Sequence, residues 1–217
     1  MSSQKPTLPW INSLSGRFVA FEGPDGSGKS TQLRRFIALA KSAGLAVTEV
    51  REPGGTPIGE QIRAILLDNK SEMVMPCELL LYMASRAQLV HSVIRPALER
   101  RELVVADRFV ASTYAYQGHA GGLPIDNIRA AANVATGGTL PDLNIIFDVS
   151  ARAAAARLSP LLDRIESRGE QYHARVRAGY QSLARDDPQH HLLVPADDDE
   201  ETVWRRLLQL LEERLRA

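Results

Sequence analysis

The chain contains a single cysteine, Cys77, among its 217 residues. One thiol excludes an internal disulfide framework and a cysteine-based zinc site. Charge of one sign is also missing: 26 Lys and Arg balance 26 Asp and Glu. A protein that holds nucleic acid by bulk charge is more basic, so anion recognition here is local and no nucleic-acid partner is expected. Long apolar runs are absent too. The longest, residues 79–84, falls far short of the ~20 residues a membrane helix takes, so no membrane partner is expected. The five histidines show no metal-ligand spacing. Lysine is scarce, four residues against 22 arginines. Base composition explains that bias more simply than phosphate recognition does, so arginine is informative only inside motifs. The first fifteen residues have one Lys, two Pro and no apolar core. They do not read as a secretory signal. Residues 1–16 are expected to be a flexible arm of a cytoplasmic protein.

What is present is an ordinary globular composition, 44% hydrophobic and 24% charged, enough to bury a core. Short apolar runs at 17–22, 45–50, 103–106, 144–149 and 191–194 read as strands. Helical periodicity fills the intervals, notably over 30–42, 57–67, 77–101 and 200–216. Pro96 is expected to kink or break the third of these. Strand–helix alternation predicts an α/β fold, a five-stranded parallel sheet flanked by helices. Residues 17–217 read as one domain, with a polar lid at about 157–171. Cys77 reads as a packing residue at a helix start, and Arg175, Arg177 and Arg185 as a solvated helix face.

Gly23-Pro24-Asp25-Gly26-Ser27-Gly28-Lys29-Ser30 fits the phosphate-loop pattern G-x-x-x-x-G-K-[ST], between a predicted strand and a predicted helix. Glycines let the backbone curl so that its N–H groups face phosphate oxygens, and the helix offers its positive end. Lys29 would reach the terminal phosphates and the Ser30 hydroxyl a magnesium ion. Gly23, Gly26, Ser27, Gly28, Lys29, Ser30 and the adjoining Thr31 are therefore the candidate ATP-binding residues. A guanine-reading Asn-Lys-x-Asp is absent: Asn69-Lys70-Ser71-Glu72 ends in Glu and follows a helix, which weakens a GTPase reading.

Ligands of open α/β sheets bind outside the carboxyl ends of the strands. Arg51, in Arg51-Glu52-Pro53-Gly54-Gly55-Thr56, falls at one such end. Asp107 and Arg108, in Asp107-Arg108-Phe109, fall at another. Ser85-Arg86-Ala87-Gln88 lies in the long helix. Together with the phosphate loop, Ala115-Tyr116-Gln117, Pro141-Asp142-Leu143 and Leu162-Asp163-Arg164-Ile165-Glu166, these motifs resemble the thymidylate kinase family, in its order, from about residue 17 to the end.

The resemblance implies a P-loop kinase fold, a homodimer, and ATP-dependent phosphorylation of dTMP to dTDP in dTTP biosynthesis, with Mg²⁺ as cofactor. Asp25 would meet the sugar 3′-hydroxyl and help organise the metal site. Arg51 and Arg108 would grip the dTMP phosphate, and Asp107 with Ser30 would order the metal. Arg86 would hold the thymine edge. Tyr82, where the family usually has Phe, would stack on the base, and Thr113 and Gln117 lie near it. Residues 194–197 would border the adenine. Some members carry a catalytic Arg in the loop where this chain has Gly26. This chain resembles the bacterial type that supplies it from the lid, with Arg164, Arg157 and Arg168 as candidates in that order. It lacks the Arg-rich run of that type, having Leu158-Ser159-Pro160-Leu161-Leu162 instead. Another nucleotide or deoxynucleoside kinase, or a non-catalytic nucleotide switch, are the alternatives.

Overall fold

The computed structural model describes residues 8–157 and 163–216. Five strands form one parallel sheet in the order β2-β3-β1-β4-β5: β1 (Phe18–Glu22), β2 (Val47–Arg51), β3 (Leu103–Asp107), β4 (Leu143–Asp148) and β5 (His191–Pro195). β1 is buried throughout, as a central parallel strand covered on both faces must be. Its side chains still alternate. Val19 and Phe21 join the core beneath α1 (Lys29–Ser42) and α9 (Glu200–Arg216). Phe18 and Ala20 face α3 (Met75–Leu89) and α6 (Ile125–Thr136). α2 (Pro57–Leu67) lies against α3, and α8 (Glu170–Asp186) covers a third cluster around Ile146. Short helices α4 (Arg95–Glu99), α5 (Val110–Thr113) and α7 (Ala151–Ala155) lie between these elements, and a π helix, Tyr114–Ala120, continues directly from α5.

The register sets the site. Phe21 pairs with Asp107, and Arg51 pairs with the same Asp107. The carboxyl ends of β1, β2 and β3 therefore stop level, and the chain leaves all three at one edge.

Three expectations change. The helix expected over 77–101 is continuous from Met75 to Glu99, but a π turn at Val90–Ile94 interrupts it just before Pro96. Proline has no N–H for the bond four residues back, and a wider turn absorbs the missing bond. Cys77 is exposed rather than packed. Within the expected loose arm, Pro9–Leu14 form a 3₁₀ helix that buries Trp10, Ile11 and Leu14 against the α1–α9 core. That short stretch packs against α9.

Trp10→Ala is expected to remove about 3–5 kcal/mol of stability, the usual loss for a buried Trp, with steady-state kinetics unchanged. Urea denaturation checks this, and a loss under about 0.5 kcal/mol, the scale of a surface change, would restore the loose-arm reading.

Candidate active site

The phosphate loop joins β1 to α1, with Gly28 as the N-cap of α1 at φ +79° and no side chain capping the helix. The first turn of α1 holds no acid and begins with Lys29. A cation there opposes the helix dipole, an arrangement that suits a helix end facing an anion. The Ser27 hydroxyl is buried with no hydrogen-bond partner among the described residues. At Gly26, φ is +75° and a Cβ would stand 2.5 Å from the Ala154 carbonyl oxygen. Helix α7 thus rests where a side chain at 26 would project, and the loop has no room for an arginine there.

Lys29 Nζ bonds Asp107 Oδ1, and Ser30 Oγ lies 3.5 Å from Asp107 Oδ2. Burial and the nearby Arg108 push the Lys29 ammonium down, while Asp107 and Asp25 pull the other way.

Arg108 follows β3 at φ +69°, a left-handed turn that folds its guanidinium back over the loop. Nη1 donates to Gly23 O at 2.8 Å and Nη2 to Asp25 Oδ1 at 2.5 Å. The Tyr116 hydroxyl also donates to Asp25, at 3.2 Å. Burial pushes the Asp25 carboxyl up, but Arg108 and Lys29 outweigh it and hold it below the ordinary aspartate value. Beneath lies Glu22, fully buried, which accepts from Phe109 N at 2.7 Å, Ser112 Oγ at 2.5 Å and Tyr180 Oη at 3.2 Å. Burial raises its carboxyl above the usual range.

The loop opens on a cavity lined by Asp25, Lys29, Arg51, Tyr82, Arg86, Asp107, Arg108, Thr113 and Gln117. Seven of these nine come from outside the phosphate loop; Glu52, Arg63, Phe109, Ser112, Tyr116, Asp163 and Glu166 line the same cavity without a role assigned to them from the sequence. Arg51 is half-exposed and forks onto Glu60 at 2.9 and 3.1 Å. An exposed pair of this kind is worth little, so the guanidinium is free to trade Glu60 for a phosphate. Arg86 is sealed at 1% exposure. Its Nε and Nη2 hold Glu52 at 2.5–3.0 Å, and its Nη1 donates to Thr113 Oγ1 at 3.1 Å. Burial pushes Glu52 up against the pull of Arg86. Tyr82 is half-buried, and burial raises its phenol well above the usual value.

The lid arginines separate. Arg157 lies beside the loop: a Cβ on Gly28 would stand 4.0 Å from its Nη1. It donates to the carbonyls of Ala196, Asp197 and Asp198 at 2.8–3.0 Å, the stretch expected beside adenine. Arg164, placed first in the sequence reading, is not at the phosphate end. Its Nε donates to Leu66 O at 2.7 Å and its Nη2 to Glu78 at 2.6 Å. Arg168 joins it on Glu78 at 2.5 Å. The stretch 158–162 lies outside the described residues. Arg177, with about a third of its side chain exposed, forks onto Asp148 at the end of β4 at 2.6 and 2.9 Å.

Glu52, Glu78, Tyr116 and Tyr180 carry no role in the sequence reading. Glu22 ends an apolar strand, and a lone acid in such a run is the one signal that could have marked it, since a buried charge needs partners.

A family model described as Thymidylate kinase matches residues 21–207. The thymidylate kinase of an Exiguobacterium species is 45% identical over 205 residues, 93% of this chain and 97% of that protein. That of Desulforudis audaxviator is 45% identical over 208 residues, covering 93% and 94%. The crystal structure of thymidylate kinase from Ehrlichia chaffeensis superposes with a TM-score of 0.75 at 29% identity, covering 91% of this chain and 99% of that one. Loop, strand ends and cavity thus meet at one edge of the sheet, and the chain belongs to the thymidylate kinase family.

Proposed function

We propose that the chain transfers the γ-phosphoryl group of ATP to dTMP, giving dTDP and ADP, as a step toward dTTP. The observation that carries this reading is the meeting of two groups of anion-binding residues at one edge of the sheet: the phosphate loop, and Arg51 and Arg108 at the ends of β2 and β3, Arg108 folded over the loop, on the cavity beside it. A nucleotide switch needs only the first.

In this reading the triphosphate lies on the loop amides, with Lys29 on its terminal phosphates. The dTMP phosphate lies between Arg51 and Arg108. One of its oxygens attacks the γ-phosphorus, and the bond to the bridging oxygen of ADP breaks in line. A phosphate monoester is already nucleophilic near neutral pH, so alignment and charge neutralisation suffice. Asp25, anchored by Arg108 and Tyr116, faces the sugar. Arg86 and Thr113 present donors to the pyrimidine edge, Gln117 completes that edge, and Tyr82 flanks the ring. Arg157, beside Gly28 and the 196–198 carbonyls, is the lid arginine placed to meet the triphosphate.

Ser30 and Asp107 would hold Mg²⁺. Their oxygens converge at the loop, and oxygen donors suit a hard cation that takes its remaining ligands from phosphates and water. When bound, the ion neutralises charge on the transferring phosphates.

The homodimer would use α2, α3 and α6. These helices pack side by side and leave Ile58, Ile65, Leu80 and Val134 exposed, an apolar surface that a second copy would cover. No described helix is long and apolar enough to cross a membrane, which accords with a cytoplasmic setting.

ADP release from Mg²⁺-ATP is expected to be strong with dTMP, weak with dCMP, dGMP and dAMP, and absent with thymidine, with dUMP measured beside them. Release that no acceptor stimulates would defeat the reading. Lys29→Ala is expected to lower kcat by about 10³-fold, the scale of losing a phosphate-stabilising cation, with the fold intact by circular dichroism. Arg86→Ala strands the buried Glu52 and should remove about 3–5 kcal/mol of stability. Replacing both by Met should return most of that stability in urea denaturation. Both variants should lose the preference for dTMP over dCMP while KM for ATP holds; an equal rise in KM for ATP would contradict the assignment of Arg86 to the base.

A further inference from the structure

We propose that Glu78 is a positioning residue of the acceptor pocket, whose carboxylate fixes the amide orientation of Gln117 and so selects a pyrimidine carrying an N3–H. This rests on reading the cavity as the dTMP site.

Glu78 sits in the first turn of α3 with no exposed surface. A carboxylate is buried at great expense unless N–H donors surround it. Here they come from two other parts of the chain. Gln117 Nε2 donates to Oε1 at 2.8 Å, while Arg164 and Arg168 both donate to Oε2, at 2.6 and 2.5 Å. Two guanidiniums and an amide fill three of the roughly four acceptor positions a carboxylate offers. They also join the segment that carries Asp163, Ile165 and Glu166, which line the cavity, to Gln117, which lines it too.

The consequence for specificity follows from hydrogen-bond chemistry. A glutamine amide has a donating end and an accepting end, and it can flip between them. A carboxylate flanked by arginines only accepts. The end of Gln117 that faces Glu78 is therefore its NH₂, and the carbonyl oxygen is the end left for the cavity. Beside it stand Arg86, which only donates, and the Thr113 hydroxyl, whose oxygen is already taken up by Arg86 Nη1. Donor, donor and acceptor match the O4 and N3–H of thymine or uracil. Cytosine offers an amino group and an unprotonated N3, and mismatches the donor Arg86 and the Gln117 oxygen alike. A site built to pair with a substrate N–H strongly rejects an analogue lacking it.

Glu78→Gln keeps the shape of the side chain but can donate as well as accept, so Gln117 gains the freedom to flip. Glu78→Asp keeps an acceptor, one methylene further away. With wild-type enzyme as reference, Glu78→Gln is expected to cut the dTMP-to-dCMP ratio of kcat/KM by about tenfold or more. Glu78→Asp should raise KM for dTMP by about fivefold, the scale of one weakened hydrogen bond, with the ratio retained. KM for ATP should stay within about twofold in both, under 0.5 kcal/mol. In a Gln117→Ala background, Glu78→Gln should change the ratio no further. A purely structural Glu78 would lower melting temperature and turnover for every acceptor while leaving the ratio untouched, and that result overturns the proposal. Should Glu78→Gln fail to fold, Glu78→Asp decides: an unchanged KM for dTMP overturns the proposal equally. Wild-type protein that ignores dTMP would instead overturn the functional reading beneath it, and with it this inference.

Discussion

A carboxylate sealed beneath the phosphate loop holds the catalytic edge together. Glu22 ends the central strand with no access to water, and its partners are a backbone amide at Phe109, a hydroxyl at Ser112 and a phenol at Tyr180. Glu22 ends β1, while its partners belong to the segment after β3 and to α8. One buried anion therefore registers three parts of the chain against each other. The arrangement constrains Arg108, which lies between the strand and Phe109 and takes a left-handed backbone at φ +69°. That conformation costs an ordinary residue roughly 1–2 kcal/mol. The bonds from its guanidinium to Gly23 and Asp25 offset it and carry the charge back over the loop.

Positive charge is graded along the cavity even though the chain is neutral. At the loop end, Lys29, Arg51 and Arg108 are held by the carboxylates of Asp107, Glu60 and Asp25. At the far end, Arg86 is committed to a fully buried Glu52, and only its Nη1 side reaches Thr113 and the cavity. Arginine suits both tasks because its planar fork stays charged when buried and spends its donors in fixed directions.

The lid shows how tertiary contacts sort residues of one type. Arg157, Arg164 and Arg168 are close in sequence, yet Arg157 binds the carbonyls after β5 while Arg164 and Arg168 converge on Glu78. The absence of a side chain at Gly26 lets α7 lie directly on the loop, which brings Arg157 to the phosphate end.

Local chemistry was enough to read the sheet, the phosphate loop and the strand-end residues Arg51, Asp107 and Arg108, whereas Tyr82, Arg86, Thr113 and Gln117 were named only through the family resemblance. Strand burial, turn glycines and strand ends are encoded within a few residues of each other, and a parallel sheet brings strand ends to one edge whatever the helices do. The packing of Pro9–Leu14, the π turn before Pro96 and the pairing of each arginine were not legible in this way. Nothing near Glu78 or Glu52 in the chain announces partners that lie up to 90 residues away, and three arginines in one segment look alike until something buried claims them. Desolvation makes that choice: a carboxylate shut away from water must find donors, wherever in the chain they lie, and only the folded structure brings them within reach.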